Sequence, residues 1–576
     1  MSSPREIYTL GIYCYFNDSS ACLLKNGELV AMAEEERFTR VKHCHFFPEQ
    51  SIRFCLKEAR IEFSDISRIA YGFKPFKLLM HQAWLFFRNF PRSLNLIRHS
   101  SSAMPLKDKL FALATLKYKL KEKFGPLLCP LIFVDHHVAH AYSTYFVSPF
   151  TEAAILIADG FGEVDATSFY HGNKDEITHL SSIAYPQSLG VYYGGMTQYL
   201  GFKPMYDEYK VMGMCAYGKD SYHDFFAKVL STDGRLKYNL DESYFSLVTH
   251  GDRQWFSDKM EEELGSRRQI GDAYEQKHFD IACSAQRNLE LVMRRIGQDL
   301  QKKTQSENLC LAGGIAQNIL MNRVLLDDCG FKNIFVPPVA YDGGVSLGAA
   351  LAVHREHCKG ERKFSLVDSA WGPGFSDQEC MDALNQYEIP YSVLNDRAMM
   401  SQQVAVILSQ GKIVGYFSGR MEIGPRALGH RSILADPSNP SMKDILNSRI
   451  KKREFFRPFA AMVPLEDCKT YFDLTIESAF MTICGRVKMP QLVSAVTHAD
   501  GMCRVQTVNK DINPAMHSLL KHFEMLTNVP VLINTSLNEN EPIVCTPHEA
   551  LECFLRTKMD CLVFNHRVLV QKAEAK

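Results

Sequence analysis

Apolar runs separated by polar turns predict that the chain begins with strands. The run Y-T-L-G-I-Y-C-Y leads into the turn F-N-D-S-S, and A-C-L-L leads into Asn26-Gly27, a strong hairpin signal before L-V-A-M-A-E. The same pattern returns later, where E-A-A-I-L-I-A precedes the turn D-G-F-G-E and the strand A-T-S-F-Y-H. The chain therefore carries a strand–acidic turn–strand unit twice.

Two strand–glycine–helix units follow the second acidic turn. One surrounds Gly313-Gly314 in L-C-L-A-G-G-I-A-Q-N, and the other surrounds Asp342-Gly343-Gly344. Glycines let the backbone approach a ligand closely, and a helix N-terminus suits a phosphate. Two acidic turns followed by two glycine turns resemble the duplicated ATP-binding fold shared by actin, sugar kinases and the Kae1 family.

Changes in composition predict an insert and a domain boundary. From about 77 to 123, Leu, Phe and Ala are mixed with Lys and Arg, which is typical of helices. The charged stretch R-E-H-C-K-G-E-R-K predicts a linker, and W-G-P-G-F-S follows it. We therefore expect one domain at 1–357, with the helical insert at about 77–123, and a second at 364–576.

The global charge indicates which partners to expect, and the cysteines indicate the cellular compartment. The 576 residues include 65 Lys or Arg and 65 Asp or Glu, so we expect neither a nucleic acid nor a membrane as partner. No two of the 17 cysteines have C-x-x-C spacing, which favours reduced thiols in the cytoplasm. The N-terminus lacks a signal-peptide core, and the apolar run Leu78–Phe87 is too short to span a bilayer. A homodimer is a plausible assembly.

Three histidines in D-H-H-V-A-H-A-Y predict a metal site on a helix. Asp135 suits the N-cap, and His136 and His140, four residues apart, lie on one helical face. His137 and His140, three apart, are a second pair that could converge. Because His137 replaces the glutamate of H-E-x-x-H, a zinc-protease site lacks its base. The alternative is a buried helix whose histidines are satisfied by hydrogen bonds.

Two aspartates favour the metal interpretation. Asp159 in I-A-D-G-F-G and Asp342 in Y-D-G-G are each predicted to end an apolar strand, so a duplicated fold would direct both into one cleft. Two imidazoles and two carboxylates suit Fe(II), Mn(II) or Zn(II).

A basic segment near the C-terminus predicts an anion pocket. From Gly419 to Arg457 nine residues are Lys or Arg and four are Asp or Glu. Arginine forks bind phosphate and carboxylate, although a solvated basic face is the alternative. Polar residues at later strand ends extend the predicted rim: Arg504, Asn534, Thr535, Ser536 and Asn538.

Several motifs together resemble the NodU/CmcH family of O-carbamoyltransferases. These are the H-x-x-x-H helix, E-Y-K-V-M-G-M-C-A-Y-G, L-A-G-G-I-A-Q-N, G-P-R-A-L-G-H-R-S-I-L and N-T-S-L-N. The resemblance implies an α/β chain with a duplicated actin-like ATPase (Kae1-like) domain followed by a YrdC-like α/β domain. It also implies that carbamoyl phosphate and ATP form carbamoyl adenylate in the second domain, and that the first passes the carbamoyl group to a hydroxyl.

The resemblance assigns roles to individual residues. His136, His140, Asp159 and Asp342 match the family's metal ligands, with iron the expected ion, and ATP would enter with Mg. The residues matching nucleotide or carbamoyl-adenylate binding are Gly160, Lys210, Gly313, Gly314, Asn318 and Gly343. Those expected to hold carbamoyl phosphate and ATP in the second domain are Arg420, Arg426, Arg431, Lys452, Arg453, Arg457, Arg504, Asn534 and Ser536.

One position departs from the family pattern. The first turn usually reads H-D-S-S or H-D-A-S, but here it reads Asn17-Asp18-Ser19-Ser20. An amide cannot take the acceptor's proton near neutral pH. Asp18, His43 or His45 could act as base, the acceptor could bring its own basic group, or transfer could have been lost. Asn17 could still orient the acceptor.

The expected acceptor is a small natural product with a hydroxyl, of antibiotic, toxin or glycolipid type. A tRNA threonylcarbamoylation-type enzyme is one alternative, which the neutral charge disfavours. The other is a nucleotide-binding regulatory module without turnover.

Overall fold

The chain folds into two compact units. The structure, a computed structural model, describes residues 6–98, 111–394 and 396–572. The first unit comprises Met1–Glu35 and His43–Ser365, and the second comprises Glu36–Lys42 and Leu366–Lys576. Nothing in the sequence of 36–42 marks that short segment as part of the second unit.

The first unit begins with a five-stranded mixed sheet in the order β3-β2-β1-β4-β5. β1 pairs with β2, and β2 with β3, antiparallel, whereas β4 lies parallel to β1 and β5 parallel to β4. The strands are β1 Tyr8–Tyr13, β2 Ser20–Lys25, β3 Glu28–Glu34, β4 Arg68–Tyr71 and β5 Leu131–Phe133.

A second sheet repeats this topology. Its strands are β6 Glu152–Ala158, β7 Asp165–Asn173, β8 Glu176–Ala184, β11 Asn308–Ala312 and β12 Asn333–Phe335. Between β8 and β11 in the chain, β9 Leu230–Gly234 and β10 Lys237–Leu240 form a separate hairpin. The order of the sheet is β8-β7-β6-β11-β12, antiparallel among the first three strands and parallel from β6 onward. The predicted α/β class and its duplication are therefore confirmed.

Two helices pack against each other at glycine contacts. The helices are His136–Tyr145 and Val345–Cys358. A Cβ at Gly348 would lie 1.7 Å from the carbonyl oxygen of Ala139, and one at Gly11 would lie 1.9 Å from that of Ser346. Side chains at these positions would force the elements apart, so the close packing of these elements requires glycine at both.

Other helices of the first unit surround this core. The predicted insert contains Pro75–Arg88, Leu94–Arg98 and Leu116–Phe124, and its residues 99–110 lie outside the described part of the chain. The remaining helices are Glu49–Ala59, Leu189–Tyr199, Glu208–Cys215, His223–Val229, Leu247–His250, Asp258–Leu264, Gln276–Thr304 and Ile319–Asp328.

The second unit is built on a nine-stranded mixed sheet. The order is β13-β21-β20-β14-β15-β19-β16-β18-β17. The strands are β13 Ser392–Val393, β14 Val414–Phe417, β15 Arg431–Ala435, β16 Ala460–Pro464, β17 Cys484–Arg486, β18 Met502–Val508, β19 Leu532–Ser536, β20 Cys561–Phe564 and β21 Val568–Gln571. The helices are Glu36–Thr39, Asp377–Gln386, Arg397–Ser409, Met442–Ile445, Cys468–Tyr471, Pro514–Thr527 and Pro547–Arg556, with a π-helical turn at Leu446–Lys451.

Within the described ranges of both units, none of the helices has the length and apolar character needed to cross a bilayer.

A buried histidine makes the second unit sensitive to acid. His566 is 2% exposed and bonds the Tyr416 hydroxyl through Nδ1 and the Ser401 hydroxyl through Nε2. Burial lowers its pKa from 6.5 to about 4. The unfolded chain therefore binds the proton first, and the free energy of unfolding falls as the pH drops from 6.5 towards 4.

We expect His566→Gln to remove about 3 kcal/mol of this pH-dependent loss. Urea unfolding of the variant above pH 6.5 and near pH 4 measures the effect. The exposed His548→Gln is the matched control and should keep the wild-type pH dependence. An unchanged dependence in His566→Gln would contradict the assignment.

Candidate metal centre and anion site

Four predicted ligands converge in the first unit. One ligand-type atom from each of His136, His140, Asp159 and Asp342 lies within 4.8 Å of the others. Nε2 of His136 is 3.3 Å from Asp159 Oδ2, 3.4 Å from Asp342 Oδ1 and 3.2 Å from Nε2 of His140. Three of the four residues are buried and Asp342 is partly buried.

The duplicated fold brings these residues together. His136 and His140 lie on the helix that follows β5, Asp159 follows β6, and Asp342 begins the turn before the helix Val345–Cys358. His137 does not join the cluster, because its Nδ1 bonds the Ser168 hydroxyl at 2.7 Å. The pair at spacing four therefore converges, whereas the alternative pair at spacing three does not.

Neighbouring groups fix the orientation of the ligands. Nδ1 of His136 lies 3.3 Å from the carbonyl oxygen of Gly72, which can only accept, so Nε2 is left to face the aspartates. The backbone N–H of Gly314 donates to Asp159 Oδ1 at 3.0 Å, and the Tyr13 hydroxyl donates to Asp342 Oδ2 at 2.8 Å. Sequence reasoning missed Tyr13, whose only signal is its place at the end of β1.

The electrostatics of the cluster favour bound positive charge. Burial alone would lower the pKa of His136, but hydrogen bonds with Asp159 and Asp342 outweigh it and raise that pKa well above its ordinary value. Burial likewise opposes ionisation of Asp159, yet its bonds to both histidines hold its pKa well below the usual range. The pocket thus holds two carboxylates that need a cation, whether a proton on imidazole or a metal.

The donor set fits a divalent metal ion. Two imidazole nitrogens and two carboxylate oxygens match the mixed nitrogen–oxygen sites of Fe(II), Mn(II) and Zn(II). The oriented Nε2 of His136 and the carboxylate bonds to Gly314 and Tyr13 resemble the outer partners that metal ligands require.

The first turn contains a second set of polar side chains. Nδ1 of His43 lies 2.7 Å from Asp18 Oδ1, and the His43 ring meets the Tyr206 ring edge-on. The amide nitrogen of Asn17 lies 4.0 Å from the sulfur of Met205. The Ser20 hydroxyl donates to the carbonyl of Gly343, the residue after Asp342, so this turn is anchored beside the metal cluster.

The segment that begins at Glu208 lies near the same turn. Glu208 accepts the N–H of Met205, and burial raises its pKa to about 7. Lys210 instead pairs with Asp207 at 3.1 Å and lies over the Phe202 ring.

The predicted nucleotide turn has the close backbone contacts expected of glycine. Gly313 has φ +90°, and a Cβ there would lie 2.2 Å from the carbonyl oxygen of Ala158. Open space surrounds the Cβ position of Gly160. Asn318 is buried, caps the helix Ile319–Asp328 and exchanges hydrogen bonds with Gln286, so its side chain already has structural partners.

A cationic cluster lies in the second unit. Burial lowers the pKa of Arg504 well below its ordinary value, and the nearby charges of Arg426, Arg453 and Arg457 lower it further. Nε of Arg504 is buried without a hydrogen-bond partner. Because like charges are held together here, the cluster is suited to an anion.

Two predicted anion binders have extensive backbone contacts. Arg431 is fully buried, lies 3.6 Å from the Phe417 ring and donates to backbone oxygens including those of Ser418 and Gly419. Arg420 donates to the carbonyls of Gly372 and Trp371. Both side chains hold the glycine-rich loop in shape.

The sequence analysis predicted Lys452 as an anion binder and did not single out its buried neighbour Lys451. Lys452 is 61% exposed and pairs with Glu539. Lys451 is buried, and its ammonium donates to Ser536 and to both the backbone and side-chain oxygens of Asn538. Burial holds the pKa of Lys451 well below its ordinary value. Asn534 is buried nearby on β19, bonded to Ala427 and Gln506.

Arg453 and Arg457 are held within the same segment. Nε of Arg453 donates to Asn447 at 2.7 Å, and Arg457 lies 3.6 Å from Glu454.

Comparison with known proteins gives the same family for both units. The family model described as "Carbamoyltransferase N-terminus" matches residues 8–351, and "Carbamoyltransferase C-terminus" matches residues 405–572. An uncharacterized protein of Synechocystis sp. is 39% identical over 98% of this chain and 97% of its own length.

Rhizobial proteins are also similar. Nodulation protein NolNO of Sinorhizobium fredii is 35% identical over 95% of this chain and 78% of its own length. Nodulation protein NolO of Bradyrhizobium diazoefficiens is 36% identical over 75% of this chain and 77% of its own length. With both family models matched and a relative of this similarity aligned along nearly the whole chain, the protein belongs to the carbamoyltransferase family.

Proposed function

We propose that this carbamoyltransferase is an ATP-dependent O-carbamoyltransferase that works in two steps. Carbamoyl phosphate, ATP and one water would give carbamoyl adenylate, phosphate and pyrophosphate in the second unit. An acceptor hydroxyl would then attack the carbamoyl carbon in the first unit, with AMP leaving. Adenylation matters because nitrogen donation makes a carbamoyl group a poor acyl donor.

The observation that carries the proposal is the buried arginine Arg504, which lies near three further arginines. Its own burial and the charges of Arg426 and Arg453 destabilise the guanidinium, and its buried Nε lacks a hydrogen-bond acceptor. An anionic phosphate would supply both the charge and the acceptor. Lys451, Ser536 and Asn538 form a bonded network in the same unit that would keep a binding loop rigid.

The first unit would carry the transfer step. His136, His140, Asp159 and Asp342 would hold a divalent cation, with Fe(II) the first choice. Bound there, the ion would polarise a phosphate or carbonyl oxygen as a Lewis acid. Gly313 and Gly314 would let the adenylate approach the backbone closely, and the contact of Gly313 with Ala158 allows no side chain at that position.

Asp18 and His43 form the best candidate for the base. With Asp18 accepting from Nδ1 of His43, the second ring nitrogen of His43 would be the atom that takes the acceptor's proton. The His43 side chain is 31% exposed, so an acceptor could reach it. The pair would replace the histidine that the family's first turn carries where this chain has Asn17. His45 instead packs against Phe46.

Pyrophosphate release tests the proposal. Purified metal-loaded protein should release pyrophosphate from ATP only when carbamoyl phosphate is present. ATP binding without any release would support a nucleotide-binding module, and release that needs threonylcarbamoyl precursors would support the tRNA-modifying alternative.

Arg504→Met should abolish adenylation without destabilising the fold. Removing a buried, repelled charge is expected to leave the free energy of unfolding unchanged or higher, while carbamoyl-phosphate-dependent pyrophosphate release falls by at least about 100-fold. Release and thermal unfolding are measured on the same preparation. Arg449→Met, an exposed arginine of the same segment, is the control. Normal release from Arg504→Met would remove the cluster from the mechanism.

His136→Ala should separate metal binding from adenylation. The variant is expected to lose its metal by elemental analysis and to lose transfer, but to keep pyrophosphate release, because that step belongs to the second unit. His137→Ala is matched in position and burial, and should keep the metal since His137 bonds Ser168. Metal retained in His136→Ala would contradict the ligand assignment.

His43→Gln should slow transfer by about 10²–10⁴-fold with adenylation unchanged, as expected for loss of a general base. Transfer to a hydroxylated acceptor is followed by the release of AMP. Restoring the family residue by Asn17→His in the His43→Gln background should recover part of the rate. If His43→Gln transfers at the wild-type rate, the acceptor supplies its own base.

A further inference from the structure

The helix Pro75–Arg88, here called the surface helix, is apolar on two opposite sides. Leu78 and Leu85 are 1% and 2% exposed, and Nε2 of His81 lies 3.1 Å from the carbonyl oxygen of Tyr185. At about 100° per residue, Phe76, Met80 and Phe87 fall on the side opposite to Leu78 and Leu85. A helix at a protein surface usually has a polar outer side, so this one is unusual.

The outer side exposes large apolar side chains. Phe76 is 81% exposed, and Met80 and Phe87 are each 75% exposed. Trp84 at 53% and Phe90 at 61% extend the same surface towards the end of the helix. We call these five residues the apolar stripe. Grouped exposure of this kind marks an interaction surface rather than chance.

The segment that carries the stripe is basic in sequence. From Lys74 to Arg98 five residues are Lys or Arg and none is Asp or Glu, in a chain whose formal net charge is +0. Lys74 and Lys77 pair with Asp135, and Arg88 pairs with Glu242. Arg92, two residues beyond Phe90, is exposed.

We propose that the surface helix docks on an anionic lipid surface. The apolar stripe would enter the boundary between headgroups and acyl chains, and the surrounding Lys and Arg would face the anionic headgroups. Trp and Phe are the residues that favour this depth. The helix would lie in the surface rather than span it, in keeping with its 14 residues.

Charge disfavours a second copy of the chain as the occupant. A two-fold interface places the same patch of both copies together, so two strongly basic segments would meet and repel each other. An anionic lipid surface offers both the apolar phase and the opposite charge. The sequence analysis expected no membrane partner because the net charge of the whole chain is zero. That total does not reveal the local excess of Lys and Arg in this segment.

Vesicle binding tests the proposal independently of carbamoyl transfer. The full chain is sedimented with phosphatidylcholine vesicles and with vesicles that also contain phosphatidylglycerol. We expect binding only to the second kind, weakened by added salt. A triple variant, Phe76→Gln/Met80→Gln/Phe87→Gln, should bind these anionic vesicles at least about tenfold more weakly, because the apolar side chains that would enter the lipid are lost. Thermal unfolding should stay unchanged, since all three side chains are exposed.

A matched control removes equally exposed apolar side chains elsewhere. Ile270→Gln/Met525→Gln/Leu526→Gln alters residues that are 90%, 70% and 50% exposed and should keep the wild-type binding. Equal binding by both triple variants, or no binding of the wild type to anionic vesicles, would overturn the proposal. Dimerisation that is lost in the surface-helix variant without any lipid binding would assign the stripe to a second copy instead.

Discussion

Charge balance in a buried pocket is the constraint on which the first unit depends. Two carboxylates, Asp159 and Asp342, share one small volume with two imidazoles. Uncompensated carboxylates that close to each other would be costly to bury, and neutral imidazoles do not balance them. In the absence of metal, protonation of His136 is the available remedy, which is why its pKa is raised. A divalent cation balances the pocket without that proton.

The duplicated topology explains how the pocket is assembled. The turn between β1 and β2 carries Asp18, and the equivalent turn between β6 and β7 carries Asp159. Asp135 precedes the helix after β5, and Asp342 precedes the helix after β12. Equivalent positions thus have different tasks: Asp159 and Asp342 join the cluster, Asp18 pairs with His43, and Asp135 binds Lys74 and Lys77. One fold has been used twice, and its two copies have diverged in function.

Much of this arrangement was predictable, for identifiable reasons. The strand–turn units, the i, i+4 histidines and the two aspartates predicted the fold class and the ligand cluster, because periodicity and strand ends fix where side chains point. Partners distant in sequence were not predictable. Tyr13 contacts Asp342 only in the folded chain. The sequence offered several candidates for the base, and only the structure shows that Asp18 and His43 are hydrogen-bonded to each other. The burial of Lys451 next to the exposed Lys452 depends on the π-helical turn, which sequence patterns do not signal. The sequence likewise did not predict that Arg431 is buried among backbone carbonyls, because the same residue type also occurs at exposed positions.

The most direct test of the account is to locate the metal. A crystal of the purified protein would be measured on both sides of an iron absorption edge, and then at the manganese and zinc edges. The account predicts one strong anomalous peak within bonding distance of His136, His140, Asp159 and Asp342. Absence of any peak at these residues, in protein that still transfers the carbamoyl group, would mean that protonated imidazoles alone balance the carboxylates and would contradict the metal assignment.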